Sequence, residues 1–379
     1  MINGIKYIIW GMLIFSFYFQ IPIKPLASLI IPLLFIYVCL NIKCIEKLKV
    51  PKILLAFYFG FMIYMIIYFA YSLFIGISIG RVVRFYLILS MIPLCFFMVK
   101  ENFRVEYEIF EWFSILKSIL LISIALILFS VRNDFMPFRI WAGNNNLGDI
   151  YVVYGFIPRV QQYGNALLVM GFIISYIKNN GWNLKSVTIF LGVLVAGNFS
   201  FILSLALFFL YRYLIGFNLR RIKKKKVIFL FFLIMIGSVF LCYAGSEMNR
   251  KKDTGNKLKI IQAKILMDTN LLIGNGLGQI VPENEQLNRE PDAIYYELQT
   301  MYIFYQIGFI GLGMFMILTL MLAYKHGKTV FVLYLIYLVY SFFNPYCFDT
   351  TQMIAILLLV NLNNRNKIAI HYLERLKYE

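Results

Sequence analysis

The stretch Ile53–Phe74 reads ILLAFYFGFMIYMIIYFAYSLF and carries no charged residue. A run of that length matches the hydrocarbon core of a bilayer, where backbone polar groups must satisfy one another inside a helix. Working outward, further apolar runs recur near 5–22, 26–42, 82–99, 113–131, 160–178, 184–197, 199–214, 227–244, 300–323, 329–343 and 350–363. The runs 184–197 and 199–214 are short and meet at Gly197-Asn198, which reads either as a turn or as a re-entrant tip. The count is therefore about twelve transmembrane helices, with a range of ten to twelve. The expected class is an all-α polytopic membrane protein, with residues 1–379 forming one integral membrane domain. Composition agrees, because 61% hydrophobic and 14% charged residues with a mean hydropathy of +0.77 exclude a soluble globular chain.

Orientation follows from Lys and Arg, which concentrate on cytoplasmic segments. With both termini cytoplasmic, the inner segments hold most of the 36 basic residues, and the strongest anchor is Arg220-Arg221-Ile222-Lys223-Lys224-Lys225-Lys226. That run abuts two spans, so it reads as a topology determinant touching anionic lipid headgroups, not as a nucleic-acid site. Segment 100–112 dissents, with Glu101, Glu106, Glu108 and Glu111 against Lys100 and Arg104. Acids weigh little in this rule. Lys117 is expected near the inner end of its span, where it can snorkel. The N-terminal run, with Lys6 before it and Pro25-Leu26-Ala27-Ser28 after it, has the look of a signal peptide. Removing it would set the basic 43–52 loop against the parity of the others, so it is read as a retained first span. Five cysteines without a CxxC pair give neither a disulfide framework nor a zinc site.

This orientation puts two long polar loops, 132–164 and 245–299, on the outer, extracytoplasmic side. His326 and His371 both fall on the inner side, so a histidine base or a histidine metal site is excluded from the outer face. The outer loops instead offer Arg, Lys, Glu, Asp and Tyr. Arginine grips phosphates with a planar, permanently charged fork, and glutamate can take a proton from a hydroxyl. Tyrosine supplies stacking faces for sugar rings. In the first loop, four glycines and Asn144 to Asn146 read as turns, with Arg139 within it. Arg159 is expected at the entrance to the sixth span beside Gln162 and Asn165. In the second loop, 257–267 has the pattern of a helix lying in the headgroup plane. Leu272-Ile273-Gly274-Asn275-Gly276-Leu277-Gly278 reads as a tight turn, since no strand precedes it. The loop closes with Arg289, Tyr295, Tyr296 and Glu297; a carboxylate at the mouth of a span should face water or a cation. Asp349, in the last outer turn after Asn344-Pro345-Tyr346, could line a cavity.

The order of these segments resembles a known family. An arginine precedes Gly164-Asn165-Ala166, then come Gly197-Asn198-Phe199-Ser200, the Leu272–Gly278 segment, and Glu297 followed by Gly308-Phe309-Ile310-Gly311. This is similar to the Wzy-type O-antigen and capsular polysaccharide polymerases, which share a fold with the O-antigen ligases. The resemblance implies a GT-C-like membrane glycosyltransferase in the bacterial cytoplasmic membrane, working without metal or other cofactor. Its partners would be undecaprenyl-pyrophosphate-linked glycan donor and acceptor, membrane lipids and a chain-length regulator. Carried over, the catalytic pair is Arg159 and Glu297, although the ligases place a histidine where this chain has Tyr295-Tyr296-Glu297. Arg81, Arg84, Arg139, Gln162, Asn165, Arg289, Tyr295 and Tyr296 would contact substrate. Two alternatives stay open: a flippase for lipid-linked oligosaccharide, disfavoured by the long loops and missing pseudo-repeat, and the ligase itself, disfavoured by the missing outer histidine.

Overall fold

The computed structural model describes residues 2–19, 25–42, 51–100, 102–130, 135–145, 148–153, 157–162, 164–215, 263–264, 271–280, 299–342, 344 and 346–375. The chain opens with α1 (Ile2–Tyr18), α2 (Pro25–Leu40), α3 (Lys52–Phe74), α4 (Ile79–Cys95), α5 (Arg104–Ser130) and α6 (Phe135–Asn144). A hairpin of β1 (Asp149–Val153) and β2 (Ile157–Gln161) follows. Next come α7 (Ala166–Lys178), α8 (Leu184–Ala196) and α9 (Phe199–Ile215), then α10 (Gln299–Lys325), α11 (Lys328–Phe342) and α12 (Thr350–Arg375). The protein is mostly helical, and α3, α5 and α10 are each long and apolar enough to cross a membrane. The expected run 227–244 and the amphipathic stretch 257–267 lie outside the described residues, apart from residues 263 and 264 of the latter.

Burial separates the helices into inner and peripheral members. In α12 every residue from Thr351 to Leu362 is buried, and α7 is buried from Ala166 to Ser175. Both buried stretches are predominantly apolar, as a helix segment surrounded by other helices tends to be. In contrast α3 leaves Ile53, Phe59, Ile63, Ile66 and Ile67 more than half exposed, and α5 does the same with Trp112, Leu126 and Phe129. Such continuous greasy surface would aggregate in water and suits lipid contact. Between helices, side-chain to backbone hydrogen bonds lock the register, as expected where apolar burial no longer distinguishes neighbours from lipid. Tyr107 Oη donates to the Leu358 carbonyl (2.5 Å), and Tyr340 Oη to that of Ala166 (3.1 Å). Asn361 Nδ2 donates to the Met98 carbonyl (3.1 Å).

The bundle has two distinct ends. At one, Lys100 pairs with buried Glu106, and buried Glu111 takes Lys178 at 2.8 Å, Lys185 at 3.6 Å and the Ser175 hydroxyl at 2.7 Å. The acids of segment 100–112 are thus partners of neighbouring bases. His326 lies at this end too, its ring 6.4 Å from that of Phe96; burial, with Lys325 adding to it, lowers the imidazole to about 4. The opposite end carries α6, the β-hairpin and the start of α4.

Segment 132–164 departs from the turn-rich expectation, since it holds α6 and the hairpin. Ile150 and Val160 pair across the strands and are fully buried, while Asp149 and Gln161 face outward. That alternation docks the hairpin on α5 and α8. Consequently α7 starts at Ala166, and Arg159 belongs to a strand, not to a helix entrance. The Gly197-Asn198 break is a true helix end. A capping box between Asn183 and Ser186 opens α8, and Gly197 closes it in the left-handed conformation at φ 63°.

Candidate functional site

The glycine segment 271–280 is a run of turns laid against α10 where that helix breaks. Gly308 sits at φ 64°, ψ −172°, a conformation open essentially to glycine alone. The break releases backbone groups, and the turns satisfy them. Asn275 N donates to the Tyr305 carbonyl and Gly276 N to that of Gln306, both at 2.9 Å, while Phe309 N donates to the Leu271 carbonyl at 2.8 Å. Tyr68 Oη, from α3, donates to the carbonyls of Ile273 and Gln306, and Ser72 Oγ accepts from Leu277 N (2.8 Å). Gln306 Oε1 accepts from Gly278 N at 3.1 Å. The two halves of the 271–312 stretch are therefore one unit.

That unit presses on the first turn of α4. A side chain at Gly278 would meet Arg81, whose Nε donates to Ser78 Oγ at 2.8 Å. Arg81 is half-buried and Arg84, one turn on, is exposed. Both charges act on Tyr302, whose hydroxyl donates to the Gln279 carbonyl (2.8 Å). Two arginines in the opening turns of a helix oppose its dipole, which favours anions there. A helix start with two arginines is a place where negative charge is favoured by the dipole and by the side chains together.

Arg159 lies across the same end, half-buried, with its methylenes against Gly197 so closely that no Cβ would fit there. The next residue, Asn198, donates to Asn344 Oδ1 (2.8 Å), and Asn344 Nδ2 donates to Ser200 Oγ (2.7 Å). Beneath the hairpin sits Lys117. Its ammonium donates to the Tyr18 carbonyl (3.0 Å) and to Gln162 Oε1 (2.7 Å), at the midpoint of α5. It therefore serves the hairpin end of the bundle and is no anchor for the opposite one. A buried amine needs acceptors, and this requirement occupies Gln162.

The turn between α11 and α12 joins the two arginine groups. It begins at Asn344, in contact with Asn198, and reaches Asp349, on which the charge of Arg84 acts. Asp349 Oδ2 accepts from Thr351 Oγ1 at 2.7 Å and Oδ1 from Gln352 N at 3.2 Å. Although part of its surface stays open, burial dominates and raises the carboxyl to about 7 against those hydrogen bonds and Arg84.

Among the expected site residues, Arg81 and Arg84 lie at the start of α4 and Arg159 lies in β2 against Gly197, all at this end of the bundle. Arg139 instead forms a bidentate pair with Asp149, at 2.9 and 3.1 Å, which ties α6 to β1 on the surface. Gln162 and Asn165 are buried; Asn165 Nδ2 holds the Val160 carbonyl at 2.9 Å. The polar cluster beside Arg159 is thus scaffolding for the hairpin, since buried polar groups must pair. Arg289, Tyr295, Tyr296 and Glu297 lie outside the described residues. Lys117, expected near an inner helix end where it could snorkel, is instead fully buried at mid-helix. No protein-family model matches the chain, and neither a curated protein nor a solved structure matches it.

Proposed function

We propose that this chain is a membrane glycosyltransferase that polymerises undecaprenyl-pyrophosphate-linked repeat units into O-antigen or capsular polysaccharide. In this reading it has twelve spans, one of them at 227–244, with both termini cytoplasmic. The hairpin end then faces outward from the bacterial cytoplasmic membrane. Pairing of Glu106 and Glu111 with Lys100, Lys178 and Lys185 supports that orientation, because it removes the objection raised by the acidic segment. The fold would be GT-C-like, following the resemblance to the polymerase and ligase families.

The observation that carries the reading is the placement of Arg81, Arg84 and Arg159 at the same end of the bundle, with the arginines of α4 at an anion-favouring helix start. Polymerisation of this type joins a sugar hydroxyl to an anomeric carbon and expels undecaprenyl pyrophosphate. The protein must stabilise negative charge developing on the leaving group and hold the hydroxyl in line. Three arginines answer the first need and a carboxylate the second, with Glu297 the carboxylate read from sequence. In a strain lacking the chain, Arg159→Ala and Arg84→Ala copies should each fail to restore long polymer, by ~100-fold or more, while inserting in the membrane as wild type does. Wild-type polymer lengths from both would remove the basis of the site.

A further inference from the structure

We infer that Asp349, in place of Glu297, is the catalytic base that takes the proton of the acceptor sugar hydroxyl, an inference that rests on the polymerase reading above. The turn that carries it is held in a conformation it would not adopt alone. Phe348 is a non-glycine residue at φ 57°, a left-handed backbone that is strained for an aromatic residue. Several groups hold it there. Phe348 N donates to Gln352 Oε1 (2.7 Å), Gln352 Nε2 donates to Tyr334 Oη (2.9 Å), and the Phe348 ring packs 5.0 Å from that of Phe315. Tyr337 Oη donates to the Tyr346 carbonyl, and Ser341 Oγ lies 2.9 Å from Cys347 Sγ. Strain maintained by this many contacts is characteristic of functional turns, and here its consequence is the direction of the next side chain.

That side chain is a partly open carboxyl on which the charge of Arg84 acts. It accepts hydrogen bonds from the Thr351 hydroxyl and from the backbone of Thr351 and Gln352, and a carboxylate with about four lone-pair sites can still accept another. Among the described residues, the charged or titratable groups acting on it are Arg84 from α4, Tyr337 and Tyr340 from α11, and Cys347 from its own turn. In the step, the acceptor oxygen bonds to the donor's anomeric carbon. The bond from that carbon to the pyrophosphate oxygen breaks, its electron pair leaving with undecaprenyl pyrophosphate. The hydroxyl proton passes to Asp349, which later releases it to water. A carboxyl raised to about 7 is matched to this work, being about half ionised at neutral pH and basic enough to draw the proton.

The test is chain extension by full-length protein in proteoliposomes, using lipid-linked repeat unit extracted from a strain lacking the chain, across pH 5 to 9. Wild-type rate should rise through about pH 7 and level off. Asp349→Asn should lose ~100-fold and its pH dependence, and Asp349→Glu should stay active with a displaced midpoint. Thr351→Val, which removes a hydrogen bond to the ionised form, should move the midpoint upward. Wild-type rate and profile in the Asn or the Glu variant, or a flat profile in Glu297→Gln alone, would overturn the assignment to Asp349 and leave the polymerase reading standing. No polymer from wild-type protein would defeat both.

Discussion

At Lys117 an amine sits in the centre of a helix bundle with two neutral oxygens and, at 5.9 Å, the ring of Phe19 around it. Its desolvation is a standing cost, offset only while both acceptors stay in place. Lys117→Met alone should therefore cost about 1–3 kcal/mol, because the Tyr18 carbonyl and Gln162 Oε1 lose the hydrogen bonds the amine donates. Lys117→Met with Gln162→Leu should recover most of that loss, as read by thermal unfolding in detergent. Equal stability of the single variant and wild type would mean the amine does not hold the hairpin. Asp349 makes the opposite trade. Folding raises its carboxyl from the ordinary range to about 7, so the group favours the folded state in acid, and that favour is lost as pH climbs from about 4 through about 7. Asp349→Asn should accordingly raise the melting temperature more at pH 8 than at pH 5; a pH-independent change would contradict the raised pKa. A residue whose removal stabilises is what a working site often contains.

Among the elements, α10 and the glycine turns depend on each other. A methyl at Gly308 would lie 2.3 Å from the Leu272 carbonyl oxygen, and the backbone there excludes other residues in any case. Gly308→Ala should undock 271–280, with loss of about 3 kcal/mol or more and of activity. Gly313→Ala, in the same helix with open space around it, should be neutral or slightly stabilising. Equal effects of the two would refute the coupling. Most helices were legible as apolar runs; α3, α8 and α9 fall within two residues of the expected limits. The hairpin was not, because its strands are five residues each and lie among turn-forming glycines and asparagines. What stabilises it is the docking of Ile150 and Val160 on distant helices, a tertiary effect that no local pattern records. The sequence likewise marked 271–278 and 308–311 as notable segments without revealing that they touch.

Taken whole, the molecule is a largely apolar bundle whose two ends differ in chemistry: buried glutamates paired with lysines lie at one, and Arg81, Arg84, Arg159 and the raised carboxyl of Asp349 lie at the other. The account requires the second end to face outward. In a background without native cysteines, Asn145→Cys should react with an impermeant maleimide on intact cells, and Lys328→Cys only after permeabilisation; the reverse pattern would invert the topology. The arginines were legible one by one from charge and position, but their placement at the same end was not, because the α11–α12 turn that links them arrives from nearly 150 residues further along the chain than Asn198. The most direct measurement is the surface glycan ladder of a strain lacking the chain. The account predicts a product capped at a single repeat unit, since flipping and ligation proceed and polymerisation does not. Repeat units trapped inside the cell, or full-length polymer left on its lipid carrier, would contradict it and point to a flippase or a ligase respectively.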